Sequence, residues 1–248
     1  MELSVVLAPG VPTEAQLAGH TAVIIDVLRF TTTVTAALEA GAKAVYPVAE
    51  PEDAWRLQSQ LDGDLLLGGE RSGLRISGFD LGNSPREYLP AVVGGRLLAM
   101  TTSNGTAALI AVHRAGAAPV YLGALRNAPA VARRLAREGR STVLYCSGSG
   151  GKIALEDVVG AGAIISGCTS AGRGVELADT ALVALAAFKE LGSDLKLRPS
   201  RHCRRLIEIG FEADVDYASD LGASKMVGEF DGVMVRPAGH TLRRGCDL

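Results

Sequence analysis

Six short apolar runs, at positions 21–26, 44–47, 64–67, 96–100, 119–122 and 141–146, alternate with helical periodicity at 33–40, 51–60, 106–115 and 127–138. A short run that is apolar throughout buries both of its faces, which a strand can do only inside a covered sheet; an intervening helix carries the chain back to begin the next strand in parallel. The alternation therefore predicts an α/β protein with a mostly parallel sheet covered by helices. At 127–138 the helix start is explicit, with Asn127 at the cap and Pro129 in the first turn.

Past Cys146 the pattern turns helical, over 155–166, 179–191 and 200–209, before a last strand near 233–236. No internal repeat, low-complexity tract or Pro/Ser-rich linker is evident, so residues 1–248 are expected to form a single domain. A lobe division, if there is one, belongs at the Gly-rich stretch 167–174.

Composition removes several function classes. Lys and Arg number 25 against 27 for Asp and Glu, a net charge of -2 with no basic block, so no nucleic-acid footprint is expected. No apolar run approaches the ~18 residues a membrane helix needs. The first ten residues do not read as a secretory leader, and Cys146, Cys168, Cys203 and Cys246 lack paired metal-type spacing; a reducing cytoplasm is the expected setting. A mean hydropathy of +0.22 favours a buried subunit interface, and a homodimer is expected.

Sites in parallel α/β sheets gather where strands end, so the loops that follow strands hold the candidates. In Asp26-Val27-Leu28-Arg29-Phe30-Thr31-Thr32-Thr33 a carboxylate can bind a hard cation, Arg29 can grip two oxygens of an anion, and a helix N-terminus follows. The same threonines also serve as helix caps, and Asp26 could simply pair with Arg29. Gly69-Glu70-Arg71 repeats the acid-guanidinium pairing and opens a long loop through Asn83-Ser84-Pro85, which doubles as an ordinary helix start.

Thr101 to Thr106, with Ser103, Asn104 and Gly105 at its centre, is the sharpest local signal: a compact set of amide and hydroxyl donors at a strand-to-helix turn, suited to phosphate. After the strand at 141–146 come Gly148, Gly150, Gly151 and Lys152, an anion contact, then Glu156 and Asp157, which either hold metal or favour a helix start. Among the histidines His20, His113, His202 and His240, the one flanked by arginines, His202, is the candidate.

Common phosphate motifs are absent. Cys146 and Ile153 occupy the places of the first glycine and the hydroxyl in a Walker A loop, Cys146 and Cys168 lack an arginine at the spacing of a cysteine phosphatase, and Leu28 stands where a DxD phosphatase needs its second acid.

Asp26-Val27-Leu28-Arg29 with Thr31 to Thr33, Gly69-Glu70-Arg71, Gly78-Phe79-Asp80-Leu81-Gly82-Asn83-Ser84-Pro85, Asn104-Gly105-Thr106 and Leu155-Glu156-Asp157 together resemble the 2-phosphosulfolactate phosphatase family. Ser200-Arg201-His202 and Asp214-Val215 are similar as well. The resemblance implies a three-layer α/β/α fold peculiar to the family, with a mostly parallel or mixed sheet. It also implies magnesium-dependent hydrolysis of 2-phospho-3-sulfolactate on a route to coenzyme M.

On that basis Asp26, Arg29, Glu70, Arg71 and Asn104 are the expected catalytic residues, and Asp26, Glu70, Glu156 and Asp157 the expected magnesium ligands. Thr31, Thr32, Asn83, Ser84, Ser103, Gly105, Thr106, Lys152 and His202 are the expected substrate contacts. Two readings from other classes stay open at this point: a non-catalytic binder of small multiply anionic metabolites, and a nucleotide-dependent phosphotransferase.

Overall fold

The computed structural model describes residues 1–61, 65–171, 174–191, 197 and 199–239. Its elements begin with β1 (Glu2–Val6), α1 (Glu14–Leu17), β2 (Thr21–Ile25), α2 (Phe30–Glu39), β3 (Ala44–Pro47), α3 (Pro51–Gln60), β4 (Leu65–Arg71) and β5 (Leu74–Arg75). After a single 3₁₀ turn at Pro85–Glu87 come α4 (Pro90–Val93), β6 (Leu97–Thr101), α5 (Gly105–Arg114), β7 (Val120–Gly123), α6 (Ala128–Glu138) and β8 (Thr142–Cys146). The chain closes with α7 (Leu155–Ala171), β9 (Glu176–Leu177), α8 (Asp179–Leu191), α9 (Arg201–Glu208), α10 (Glu212–Ala218), β10 (Gly228–Phe230) and β11 (Val235–Pro237).

All the described strands join one sheet in the order β5-β4-β6-β3-β11-β10-β7-β2-β8-β1-β9. The sheet is mixed: β4, β6 and β3 are mutually parallel, as are β7, β2, β8, β1 and β9, and the antiparallel hairpin β10-β11 joins the two groups. Central strands are buried on both faces. In β2, Val23 and Ile25 enter one core with α6, α7 and α8, while Ala22 and Ile24 enter another with α2 and α5; Leu144 and Cys146 against Val143 and Tyr145 do the same in β8. That alternation is the three-layer α/β/α arrangement stated residue by residue.

The sheet also contains a duplication that the residue pattern did not reveal. β2-α2-β3-α3-β4 and β6-α5-β7-α6-β8 are the same order of elements, and β2 sits between β7 and β8 as β6 sits between β3 and β4. Each half has thus exchanged its first strand with the other.

The matching extends to single hydrogen bonds. Thr31 Oγ1 donates to the Asp26 carbonyl and accepts from the Asp26 N–H, and Thr106 Oγ1 does both with Thr102. Ala40-Gly41-Ala42 and Ala115-Gly116-Ala117 close their helices with equivalent bonds, at φ 92° for Gly41 and 90° for Gly116. Few side chains repeat outside α2-β3 and α5-β7, which is why no period appears in the sequence.

Other expectations change at particular places. β4 runs on through Arg71, turns at Ser72 and Gly73 into β5, and is met again at Gly68 by Leu81, so the expected long loop carries its own hairpin. Residues 167–171 belong to α7 rather than to a hinge, and 172–173 lie outside the described residues, as do Asp64, His240 and Cys246. β1, β5, β9, β10, α1, α4 and α10 are short or polar enough to leave no periodic signal.

Candidate active site

The strand ends of the two halves converge. Twist accumulates across the strands between β2 and β6, and Gly105, opening α5, packs so tightly on the β2 end that a Cβ there would stand 2.5 Å from both Asp26 Oδ2 and Phe30 Cδ1. A cavity of about 340 Å³ forms at this junction. Asp26 and Arg29 reach it from the β2 end and Ser103 and Asn104 from the equivalent β6 end; the β4-β5 hairpin supplies Glu70, Ser72 and Gly73, and the matching β8 end supplies Ser149 and Gly150. His202 and Arg205 of α9 close one side.

Several polar groups around the cavity are held in place by the fold. Asp26 Oδ1 accepts the Phe30 N–H at 3.2 Å, at the start of α2. Glu70 accepts from Gly73 N at 2.6 Å, Ser103 N at 2.7 Å and Ser103 Oγ at 3.2 Å, which ties the β4-β5 hairpin to the β6-α5 turn. Arg29, 3% exposed and preceded by a cis peptide, donates Nη1 to Asp214 Oδ2 at 2.6 Å and Nη2 to the Gly73 carbonyl at 2.7 Å, and its guanidinium lies 4.1 Å over the Phe211 ring. Asp214 Oδ1 accepts Ser84 Oγ at 2.7 Å. His202 Nδ1 stands 2.8 Å from Glu156 Oε1, while Glu156 Oε2 accepts Ser200 Oγ at 2.5 Å. Ser200 also caps α9 by accepting the Cys203 N–H.

Burial and crowded charge set the protonation pattern. Burial pushes the Asp26 carboxyl up to about 7; the charges of Glu70 and Glu156 add to the rise, and His202 and the Phe30 N–H partly counter it. Burial alone would lower His202 and raise Glu156, yet their mutual hydrogen bond and opposite charges raise His202 above its ordinary value and, with the Ser200 hydroxyl, draw Glu156 below its own. Asp157 is driven well above the carboxylate range, first by burial and then by the charges of Asp26 and Glu156.

The expected residues separate into groups. Asp26, Arg29, Glu70, Asn83, Ser103, Asn104 and His202 line the cavity. Thr31, Thr32 and Thr106 are fully buried and donate to the backbone carbonyls of Asp26 and Gly123, of Val27, and of Thr102, so they build the strand ends instead of facing the cavity. Gly105 matters by its close approach to Asp26, and Ser84 by its bond to Asp214. Arg71 turns away, donating to the carbonyls of Glu70 and Ala49, to Glu50 and to Thr101 Oγ1. Lys152 lines a neighbouring cavity.

The four expected metal ligands do not assemble as a set: among the described residues no three of His, Cys, Asp and Glu stand together at ligating distance. Asp157 accepts the Val27 N–H at Oδ1 and the Gly148 N–H at Oδ2, both at 2.9 Å, and so bolts the β2 and β8 ends together. Glu156 is committed to His202 and Ser200.

Asp214, Ser200, Phe211 and Arg205 carry parts of this site that the sequence reading gave no role. The signal available for Asp214 and Phe211 was slight, one acid and one aromatic around the start of a seven-residue helix; for Arg205 it was a run of arginines beside His202. A larger cavity, about 790 Å³, lies between α6 and the β11 end under Arg133, Arg134, Arg137 and Lys225, remote from these acids.

A family model described as 2-phosphosulpholactate phosphatase matches residues 7–232. A protein of Symbiobacterium thermophilum, named probable 2-phosphosulfolactate phosphatase, is 42% identical over 215 residues, covering 86% of this chain and 91% of its own. Proteins bearing the same name in Deinococcus radiodurans and Clostridium acetobutylicum are 42% and 33% identical, covering 83% and 93% of this chain and 85% and 97% of their own.

Proposed function

The chain belongs to the 2-phosphosulfolactate phosphatase family, and from that membership we propose that it is a phosphoric monoester hydrolase cleaving 2-phospho-3-sulfolactate to 3-sulfolactate and phosphate with magnesium. The observation that carries the reading is one cavity in which the carboxylates Asp26 and Glu70 meet the guanidinium of Arg29, the amides of Asn83 and Asn104, and His202. Acids without cations would repel a phosphate ester; cations without acids would bind it and give a metal no place. The same proposal puts the reaction on a route to coenzyme M.

The donors suit magnesium. A hard cation takes oxygen ligands, and magnesium commonly uses only one or two carboxylates, completing its shell with substrate oxygens and water. Asp26 and Glu70 would hold it, with Asn83 Oδ1, buried and without a hydrogen-bond partner, as a third oxygen. When bound, magnesium would polarise the phosphoryl oxygens and offset the mutual repulsion of the acids.

The remaining work falls to the side chains. Asn104, at the start of α5, and Arg29, held rigid by Asp214, Gly73 and Phe211, orient the phosphoryl group and stabilise charge on it in the transition state. His202, kept protonated by Glu156, gives its proton to the departing ester oxygen as the P–O bond breaks, and regains one from the water that attacks phosphorus.

Asp26→Asn and Glu70→Gln test this reading. Each should lower phosphate release from 2-phospho-3-sulfolactate by about a hundredfold or more while the protein stays folded. Unchanged turnover in both variants would remove the carboxylates from the mechanism.

A further inference from the structure

A second cavity, of about 570 Å³, adjoins the first, and the two share Ser149, Gly150, His202 and Arg205. Its wall is cationic. Arg204 and Arg205 stand one helical turn beyond Arg201 along one side of α9, Lys152 faces them from the 149–152 turn, and Glu208 is the acid among the described lining residues.

These four cations are exposed and little used by the fold. Arg204 donates Nη1 to the Pro199 carbonyl at 2.8 Å, and the guanidinium groups of Arg201 and Arg205 hydrogen-bond to no other described residue. Several like charges held side by side repel one another, and a cluster of this kind without matching acids is suited to receive an anion.

We propose that this second cavity is the subsite for the sulfonate, so that Lys152, Arg204 and Arg205 set the preference for phosphate esters that carry a second strong anion. The assignment rests on the phosphatase reading. In 2-phospho-3-sulfolactate the carboxylate shares its carbon with the phosphate and stays beside the first cavity; the sulfonate, one carbon further on, reaches past His202 toward Arg205. A guanidinium fork meets two sulfonate oxygens at once.

The test compares kcat/KM for 2-phospho-3-sulfolactate with that for phospholactate, which lacks only the sulfonate, in the parent protein and in Arg204→Gln, Arg205→Gln and Lys152→Gln. The ratio should fall by about tenfold or more in Arg205→Gln, chiefly through KM, as expected for the loss of a charge-assisted bond. A ratio unchanged in all three variants overturns the subsite. Calorimetric binding of 3-sulfolactate, which has no phosphate, separates the two failures. Were the parent to hydrolyse none of the esters, the phosphatase reading would fall, whereas weaker sulfolactate binding in Arg205→Gln would still support the subsite and equal binding would overturn it.

Discussion

Arg29, in the cavity wall, is held by Asp214, which does not line the cavity. Its guanidinium and the Asp214 carboxylate are each 2% exposed, so neither is well solvated without the other. Removing one partner of such a buried pair costs about 3–5 kcal/mol. Asp214→Ala should therefore lower unfolding free energy by about that much in a denaturant titration, and turnover should fall with it because Arg29 loses its orientation; a loss under 1 kcal/mol would mean that Arg29 is held by Gly73 and Phe211 alone. Asp26, Glu70 and Asn104 were legible in the sequence because each ends a strand or opens a helix. Asp214 was legible only as part of the family resemblance; its pairing with Arg29 was not, since the two are 185 positions apart and no local pattern records that separation. Thr31, Thr32 and Thr106 were legible as polar residues at a strand end, but their exposure was not: hydroxyls at such positions bind ligand or backbone with equal ease, and here the backbone took them.

At the scale of elements, the repeat makes a prediction of its own. Gly41 and Gly116 close α2 and α5 at φ values of 92° and 90°, and a Cβ at either would meet nothing closer than 3.4 Å. Strain of the backbone, with little contribution from crowding, then sets the cost of a side chain, about 1–2 kcal/mol for an L-residue at positive φ. Gly41→Ala and Gly116→Ala should destabilise by similar amounts of that size; a difference of several kcal/mol in matched thermal melts would show that the two turns are not equivalent. The alternation of strands and helices was readable because apolar strands buried on both faces and helices with one apolar side differ in period. The exchange of β2 and β6 between the halves was not readable, since strand order in a sheet depends on tertiary pairing and leaves each strand's own pattern unchanged.

For the molecule as a whole, the buried acids link stability to pH. Asp26, raised to about 7, and Asp157, also raised, bind protons more tightly folded than unfolded, so their stabilising effect is full below the ordinary carboxylate range and is lost as pH rises through the folded values. His202, raised above its ordinary value, has the same sign at higher pH; Glu156, lowered, opposes it only below its ordinary pKa. Without a divalent cation, thermal stability should decline from about pH 5 to pH 8, and millimolar magnesium should recover most of the loss at pH 8 through preferential binding to the folded state. A melting temperature that rises across that range would contradict the placement of Asp26 among burial and like charge.

On the function proposed above, one cavity, assembled from the matching strand ends of a duplicated α/β core, hydrolyses a multiply anionic phosphate ester with magnesium. The decisive assay is phosphate release from 2-phospho-3-sulfolactate, followed first in magnesium and then in excess EDTA beside p-nitrophenyl phosphate. Turnover that needs magnesium and is fastest on 2-phospho-3-sulfolactate is the predicted result; no release from either ester, or release undiminished by EDTA, would contradict it.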